Sequence, residues 1–214
     1  VRATRQLTQT NTNLGIILLF APLAKAASLG SDQLRPALAE VLRDLTVADA
    51  DDAYTAIRLA EPGGFEEAVQ HDVRTQPIIT LREAMASAVQ RDNIAAEYLN
   101  DYEITFERGL PLLEEALASG VTLSRVIVQI YLELLAAIPD THIGRKDGRS
   151  VAEAVSQSAA TVLSLGGVYS RQGSQAIAEY DKWLRKERGG LNPGTTADLV
   201  SAVLFVALLE GIIK

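Results

Sequence analysis

Cysteine is absent from the 214 residues, and histidine occurs only twice. Without cysteine the chain forms neither disulfides nor a thiolate nucleophile, and with only two histidines the composition argues against a zinc site. An ion held by oxygen ligands, such as Mg²⁺, is compatible with this composition. Any chemistry therefore depends on side chains other than cysteine and histidine clusters.

Basic residues are also few, since 20 Lys and Arg stand against 27 Asp and Glu and the net charge is -7. Attraction to nucleic acid or to an anionic membrane surface needs a basic face, so this balance predicts binding to neither. No apolar run is long enough for a membrane span, and no signal-peptide pattern is visible. We expect a cytoplasmic protein that holds any nucleotide in a local pocket.

Helical signals recur along the chain, whereas no stretch shows convincing strand alternation. Two segments, Ile16 to Leu29 and Leu199 to Ile213, are apolar on nearly every face, which is typical of helices in the interior of a protein. Between the two apolar segments, Ser or Thr precedes an acidic residue at the capping-box spacing in Thr46 with Asp49, Thr80 with Glu83, and Ser150 with Glu153. The sequence predicts one compact all-α domain over residues 1–214, with about nine to eleven helices and its apolar helices buried near both ends.

The segment 92–119 carries apolar residues in a single helical stripe, which predicts one long helix or two. Gly109 and Pro111 lie inside this stripe, and both residue types can kink a helix. Thr122 to Ile138 predicts a further apolar helix, which ends at Pro139.

A polar motif opens each of the two apolar helices. Residues 10–15 read Thr-Asn-Thr-Asn-Leu-Gly, and residues 192–198 read Asn-Pro-Gly-Thr-Thr-Ala-Asp. A helix N-terminus leaves backbone N–H groups unpaired and carries partial positive charge, so polar side chains there favour an anion. The alternative is that they only cap their helices, with Thr195 as the cap and Asp198 completing a capping box. Two such openings in one chain suggest one site between them.

The densest polar group lies between Asp140 and Gly148, at the end of an apolar helix. A carboxylate beside the fork of Arg145 and the point charge of Lys146 could hold Mg²⁺ and phosphate oxygens. The alternative is a solvated loop with a local ion pair, which contributes little to stability. A second acidic candidate, Asp72, follows Glu66, Glu67 and His71 in an irregular stretch, where His71 is expected to be a surface residue.

Both end motifs resemble the triphosphoribosyl-dephospho-CoA synthase family, as do Ala60 to Gly64, Asp72 with Val73, and Pro139 to Lys146. The resemblance covers essentially all 214 residues. It implies transfer of the 5-triphosphoribosyl group of ATP to the 2′-hydroxyl of 3′-dephospho-CoA, with release of adenine and with Mg²⁺ accompanying ATP. The family usually begins with a further segment that contains Lys-Pro-Gly, so a sequence starting at Val1 is expected to be a fragment or to lack that part of the site.

The resemblance also implies roles for individual residues. Asp140 and Asp72 are the candidates for catalytic base and for Mg²⁺ ligand. Arg145 and Lys146 would neutralise the triphosphate. The full set of substrate-binding candidates is Asn11, Asn13, Gly15, Thr141, Arg145, Lys146, Asn192, Gly194, Thr195 and Thr196.

Other interpretations of the sequence stay open at this point. A homologue could use a different acceptor, because kinship of fold does not determine substrate. A non-catalytic assembly module, whose apolar helices pair across a homodimer interface, would agree with the absent Lys-Pro-Gly segment. A terpenoid synthase or an ADP-ribosylglycohydrolase type of metal site has weak support, since the one adjacent Asp pair, Asp51 and Asp52, lies near a helix start. Motifs typical of kinases, Rossmann oxidoreductases and serine hydrolases are missing.

Overall fold

The computed structural model describes residues 1–8, 13–31, 33–60, 72–186 and 190–214. All regular structure in these ranges is helical, which confirms the predicted all-α class, and twelve α-helices are present where about nine to eleven were expected. One π-helical turn, Ile104–Gly109, and one 3₁₀ turn, Gly167–Tyr169, complete the regular structure of the described ranges. The helices are α1 (Arg2–Arg5), α2 (Leu14–Ser28), α3 (Leu34–Arg43), α4 (Val47–Ala60), α5 (Leu81–Ala86), α6 (Asn93–Leu99), α7 (Leu110–Ala118), α8 (Leu123–Ala137), α9 (Thr141–Asp147), α10 (Arg149–Ser164), α11 (Arg171–Lys186) and α12 (Gly194–Leu209).

The chain divides into two compact helical units. The first consists of Val1–Glu103 with Leu208–Lys214 and is called the N-terminal unit; the second, Ile104–Ala207, is called the C-terminal unit. A single domain over residues 1–214 therefore stays a prediction. No single described helix is both long and apolar enough to cross a membrane, although α8 and α9, bent by 57° at their junction, pass that test as a pair.

Two tyrosines hold α2 in the N-terminal unit. Pro22 lies inside α2 and has no N–H, so the carbonyl of Leu18, four residues earlier, lacks its usual helical donor. The hydroxyl of Tyr98 donates to that carbonyl at 2.6 Å, and the hydroxyl of Tyr102 donates to the Leu19 carbonyl at 2.9 Å. Burial raises the pKa of Tyr98 and of Tyr102 far above the ordinary value, so both phenols keep the proton that they donate.

The two apolar helices are buried on one face rather than all round. In α2 the buried side chains include Leu19 and Leu23, while Ala24 and Lys25 on the other side are exposed. In α12 the buried residues run from Thr195 to Ala207, as expected for a core helix of the C-terminal unit. The prediction that apolar helices are buried near both ends of the chain is therefore confirmed. The surface of α2 is apolar on nearly every side, but only one face of α2 is buried.

The core of the C-terminal unit forms where α8 packs against α10 and where α9 and α11 add side chains. A buried amide, Gln129, accepts a hydrogen bond from the backbone N–H of Val168 at 3.0 Å and donates to Glu133 at 2.8 Å, which fastens the 3₁₀ turn to α8. Ile143 places the short helix α9 on this core. The buried core residues are Leu132, Leu135, Ile143, Ala152, Val155, Ala159, Val162, Tyr180 and Leu184.

The segment 92–119 forms separate helices, and the break lies earlier than expected. After α6 the backbone turns at Asp101 and Tyr102, whose φ angles are 50° and 57°. Gly109 and Pro111 lie where the π-helical turn ends and α7 begins, so the irregularity expected there coincides with a change of helical geometry. At Gly109 a Cβ atom would overlap the side chain of Val203, so glycine permits close packing of α12 here.

Two of the three predicted capping boxes are confirmed. Thr80 and Glu83 bond reciprocally at the start of α5, and the backbone N–H of Thr46 donates to Asp49 at 2.7 Å at the start of α4. The predicted box at Ser150 is wrong, because α10 begins at Arg149, two residues earlier than that box requires, and its N-cap is Gly148. Gly148 has φ 99°, a conformation that glycine adopts easily, so α10 starts directly after α9 and Ser150 falls inside the helix.

These caps give a first stability prediction. Thr80→Ala should lower the free energy of unfolding by about 0.5–2 kcal/mol, because it removes the acceptor of a backbone N–H at the helix start. Ser150→Ala should change it by less than about 0.5 kcal/mol, since Ser150 caps nothing. Urea denaturation of the two variants checks both, and equal losses would contradict the contrast.

Candidate functional site

The buried carboxylate of Asp140 joins α9 to α12 in the C-terminal unit. Its Oδ1 accepts from the backbone N–H of Ile143 at 3.0 Å, while its Oδ2 accepts from the backbone N–H and the hydroxyl of Thr196 at 2.7 and 2.8 Å. Asp140 is only 1% exposed. The negative charge therefore lies beside the first turns of two helices, whose partial positive charge it complements. The alternative of a solvated loop at 140–148 is wrong, since residues 141–147 form α9.

Neighbouring hydroxyls extend this junction. The hydroxyl of Thr141 donates to that of Thr195 at 3.2 Å across 54 positions of sequence, and both Thr195 and Thr196 are buried. Neither threonine is the N-cap, because α12 begins at Gly194, five residues before the predicted start. Four predicted site residues, Asp140, Thr141, Thr195 and Thr196, are thus brought into direct contact.

A residue to which the sequence assigned no role, His142, lies against the start of α12. A Cβ atom built on Gly194 would be 3.6 Å from Cγ of His142 and 3.6 Å from Nδ2 of Asn192. Burial lowers the pKa of His142 below the ordinary value of 6.5, so its imidazole is neutral at pH 7. The only sequence signal for this residue was its position two residues after Asp140.

The two cations of the motif follow on α9. Arg145 is half-buried and Lys146 is exposed, both in the last turn of the helix. Burial raises the pKa of Tyr131 on α8 far above the ordinary value, and the charge of nearby Asp140 acts in the same direction. The C-terminal unit therefore holds a continuous polar set, in which cations lie one to two helical turns from the buried carboxylate.

The first polar motif belongs to the N-terminal unit. Asn11 lies outside the described residues. Asn13 occupies the N-cap position of α2, but its amide makes no capping hydrogen bond and donates instead to the hydroxyl of Thr4 at 3.0 Å. Gly15 is buried in the first turn of α2. The capping interpretation is therefore wrong for the side chain of Asn13, while the binding roles of Asn11, Asn13 and Gly15 stay predictions.

Asp72, the second acidic candidate, also belongs to the N-terminal unit. It binds the side chain of Arg74 through both carboxylate oxygens, at 2.9 and 2.5 Å, and also accepts from the backbone N–H of Arg74 at 2.9 Å. Its side chain is 14% exposed, against 56% for Arg74. Glu66, Glu67 and His71 lie outside the described residues. That Asp72 and Asp140 act together in one catalytic site stays a prediction.

The two predicted Mg²⁺ ligands, Asp140 and Asp72, are both bound to other groups of the chain. Within the described ranges no group of three or more His, Asp or Glu side chains could hold a metal. Asp140 uses both oxygens to bind Ile143 and Thr196, and Asp72 is paired with Arg74. Both carboxylates thus bind other groups in the described ranges, and their role as Mg²⁺ ligands stays a prediction.

Comparison with known proteins decides the family. All residues from 1 to 214 match the sequence model of CitG, described as ATP:dephospho-CoA triphosphoribosyl transferase. The chain belongs to this family. Membership in the CitG family confirms the resemblance inferred from the motifs and favours a transferase over the terpenoid synthase and ADP-ribosylglycohydrolase interpretations.

Individual CitG-family relatives agree with this placement. The chain is 28% identical over 102 residues to a 2-(5″-triphosphoribosyl)-3′-dephosphocoenzyme-A synthase from Klebsiella pneumoniae, which is 48% of this chain and 36% of the relative. It is 31% identical over 98 residues to a protein from Pseudomonas paraeruginosa named "Probable 2-(5″-triphosphoribosyl)-3′-dephosphocoenzyme-A synthase", or 46% and 33% of the two chains. These matches span about a third of the length of each curated relative.

A solved structure resembles the chain over more of its length. The crystal structure of a "putative triphosphoribosyl-dephospho-coA synthase" from Archaeoglobus fulgidus superposes with a TM-score of 0.72 and 28% identity. The superposition covers 92% of this chain and 82% of that one. The all-α architecture described above is therefore shared with this CitG-like structure.

Proposed function

We propose that the full protein transfers the 5-triphosphoribosyl group of ATP to the 2′-hydroxyl of 3′-dephospho-CoA and releases adenine. The observation that carries this proposal is the match of the whole chain to a family described by that donor and that acceptor. The polar junction of the C-terminal unit supports it, because four motif residues from distant parts of the sequence make direct contacts there.

The reaction exchanges one bond at C1′ of the ATP ribose. The bond from C1′ to the adenine nitrogen breaks, and a bond from C1′ to the acceptor oxygen forms. The acceptor hydroxyl loses its proton, and adenine leaves with a proton on its ring. Such a transfer passes through an oxocarbenium-like state, so a base near the hydroxyl and cations along the triphosphate are the groups that assist it.

Asp140 acts in this proposal as a positioning residue. Its burial and its three hydrogen bonds from the chain hold the Thr195 and Thr196 turn against α9. A base must reach the proton that it removes, and a carboxylate enclosed in this way does not reach a substrate. Asp72, the other predicted carboxylate, stays the candidate for the base through its match to the family motif, although its oxygens also bind Arg74.

The triphosphate is assigned to the cations of α9. The start of α12 already faces the carboxylate of Asp140, which occupies the place that an anion would take there. Arg145 and Lys146 supply positive charge in the same unit, and Mg²⁺ enters with the phosphates as part of the substrate. The amide of Asn192, at the start of α12, then positions another part of the nucleotide, while binding by Asn11 and Asn13 stays a prediction from the sequence.

Release of adenine tests the reaction directly. The full-length protein is incubated with MgATP and 3′-dephospho-CoA, and free adenine is measured by chromatography. Lys146→Ala should raise the KM for ATP about tenfold or more, because a hydrogen bond to a charged phosphate contributes roughly 1.5–3 kcal/mol. Lys182→Ala, which removes another exposed lysine on α11, is the matched control and should leave the KM unchanged. No adenine above the level without enzyme would overturn the proposal.

Gly194 offers a second test of the same site. A Cβ atom at this position would meet no atom closer than 3.6 Å, so Gly194→Ala should change the free energy of unfolding by less than about 1 kcal/mol. If the nucleotide approaches this backbone, the added methyl group should nevertheless weaken MgATP binding. Calorimetric titration beside melting curves measures both, and unchanged affinity would show that the ligand does not approach Gly194.

The acceptor is tested separately from the donor. A ligand that binds only the folded protein raises its melting temperature, so ATP and 3′-dephospho-CoA can be compared by thermal shift. Stabilisation by ATP but not by 3′-dephospho-CoA would indicate a different acceptor, and stabilisation by neither would indicate the non-catalytic module. The homodimer, the cytoplasmic location and the absence of nucleic-acid and membrane partners stay predictions from composition.

A further inference from the structure

Two side chains flank the first residue of α12 and have no part in the contacts that build the junction. The imidazole of His142 lies with Cγ and Cδ2 at 3.6 and 3.7 Å from the Cβ position of Gly194, and the amide nitrogen of Asn192 lies at 3.6 Å from the same point. The two side chains therefore approach the same point beside the backbone of Gly194. They come from α9 and from the segment that leads into α12.

Their hydrogen-bonding state differs from that of their neighbours. Asp140, Thr141 and Thr196 all make hydrogen bonds within the unit. Within the part of the chain that the structure describes, neither the ring of His142 nor the side-chain amide of Asn192 has a hydrogen-bond partner. The junction thus consists of bonded groups that hold the helices and of two neutral groups with free donors and acceptors.

The position of His142 is well supported. Ile143, the next residue, is fully buried in the core, and its backbone N–H is bound by Asp140. The imidazole consequently projects from a helix whose first turn is held at two points. A group placed by rigid elements in this way can bind a ligand without first losing much conformational freedom.

The chemistry of the pair indicates the type of group that it binds. A neutral imidazole donates with one nitrogen and accepts with the other, and a carboxamide also does both. Hydroxyls likewise donate and accept, so they match such a pair, whereas phosphate oxygens at neutral pH mainly accept and match Arg145 and Lys146 better. The pair of His142 and Asn192 therefore suits the ribose of a nucleotide, and Arg145 and Lys146 suit its phosphates.

We infer that His142, together with Asn192, binds ribose hydroxyls of a nucleotide substrate. This inference rests on the proposed function and specifies which part of the substrate this corner of the site recognises. Under that function the ribose belongs either to ATP or to 3′-dephospho-CoA, which offer the same diol. The experiment distinguishes the two sources.

The test is calorimetric titration of the full chain with ATP, 2′-deoxy-ATP, 3′-deoxy-ATP and 3′-dephospho-CoA. If the ATP ribose is bound, the native chain should prefer ATP over at least one deoxy analogue by about 3–10-fold, and His142→Leu should bind ATP that much more weakly and lose the preference. His142→Gln, which keeps a donor and an acceptor, should retain part of it. If the acceptor ribose is bound, His142→Leu should weaken 3′-dephospho-CoA alone by a similar factor.

Asn192→Ala provides an independent variant, because Asn192 is exposed and its replacement should leave the melting curve unchanged. It should weaken the same nucleotide as His142→Leu does. Native affinities for all four ligands in both variants would overturn the inference while adenine release still supported the reaction. Weaker ATP binding with the deoxy preference intact would also overturn it. Binding without adenine release would overturn the proposed reaction alone, and a native chain that binds neither nucleotide would overturn both.

Discussion

Replacing Asp140 with alanine is expected to lower the free energy of unfolding by about 3–5 kcal/mol, because it leaves buried donors without an acceptor. These donors are the backbone N–H of Ile143 and both the N–H and the hydroxyl of Thr196. Each buried group left unsatisfied costs about 1–3 kcal/mol, and loss of the helix cap acts in the same direction. The change should also release the start of α12 from α9 and thereby weaken substrate binding.

Urea denaturation measures this effect against two controls. Asp140→Asn keeps one oxygen, which can still accept from Thr196 while the cap on Ile143 is lost, so it should cost about 0.5–2 kcal/mol. Asp181→Ala breaks an exposed ion pair with Arg185 at 2.9 Å and should change stability by less than about 0.5 kcal/mol. If the Asp140→Ala variant had the same free energy of unfolding as the native chain but released no adenine, the carboxylate would be catalytic and the positioning role would be wrong.

Replacing Gly173 with alanine is expected to cost about 3 kcal/mol or more, because the new methyl group has no space. A Cβ atom there would overlap the backbone N and O of Gly167 and would lie 2.8 Å from the carbonyl carbon of Gly166. A side chain can rotate away from such an overlap, but backbone atoms cannot. The first turn of α11 would therefore have to move off the 3₁₀ turn that it contacts.

Gly144→Ala is the matched control, with the opposite sign expected. Gly144 also lies in a helix, α9, but apart from its chain neighbours and the adjacent helix backbone no atom lies within 4 Å of its Cβ position. Alanine is favoured over glycine in a helix, so the variant should gain roughly 0.5–1 kcal/mol. Chemical denaturation of the two variants side by side would contradict the packing argument if both changed stability in the same direction.

The sequence alone was sufficient for the all-α class, for the start of α5 and for the capping box at Thr46. The capping boxes at Thr46 and Thr80 involve groups three residues apart, so the pattern contains all the atoms that take part. The same spacing at Ser150 was misleading, because Gly148 allowed the helix to begin earlier. A capping pattern therefore predicts a helix start only where no neighbouring residue allows the helix to begin elsewhere.

The break after α6 could not be read from the sequence. Asp101 and Tyr102 adopt positive φ, which is uncommon for residues other than glycine. The hydroxyl of Tyr102 meets its acceptor, the Leu19 carbonyl, 83 positions away. A contact between such distant residues helps hold this backbone, and no pattern within 92–119 contains it.

The sequence by itself determined which polar residues stand at the helix ends: Asp140 and Thr141 at the end of one apolar helix, Thr195 and Thr196 at the opening of another. Only the tertiary structure decided that Asp140 is buried and bound to Thr196, and that His142 lies against Gly194. The physical reason is the distance along the chain over which each interaction acts. Capping and helical periodicity act within about one turn, whereas burial and hydrogen bonding between α9 and α12 depend on packing across 56 positions of the chain.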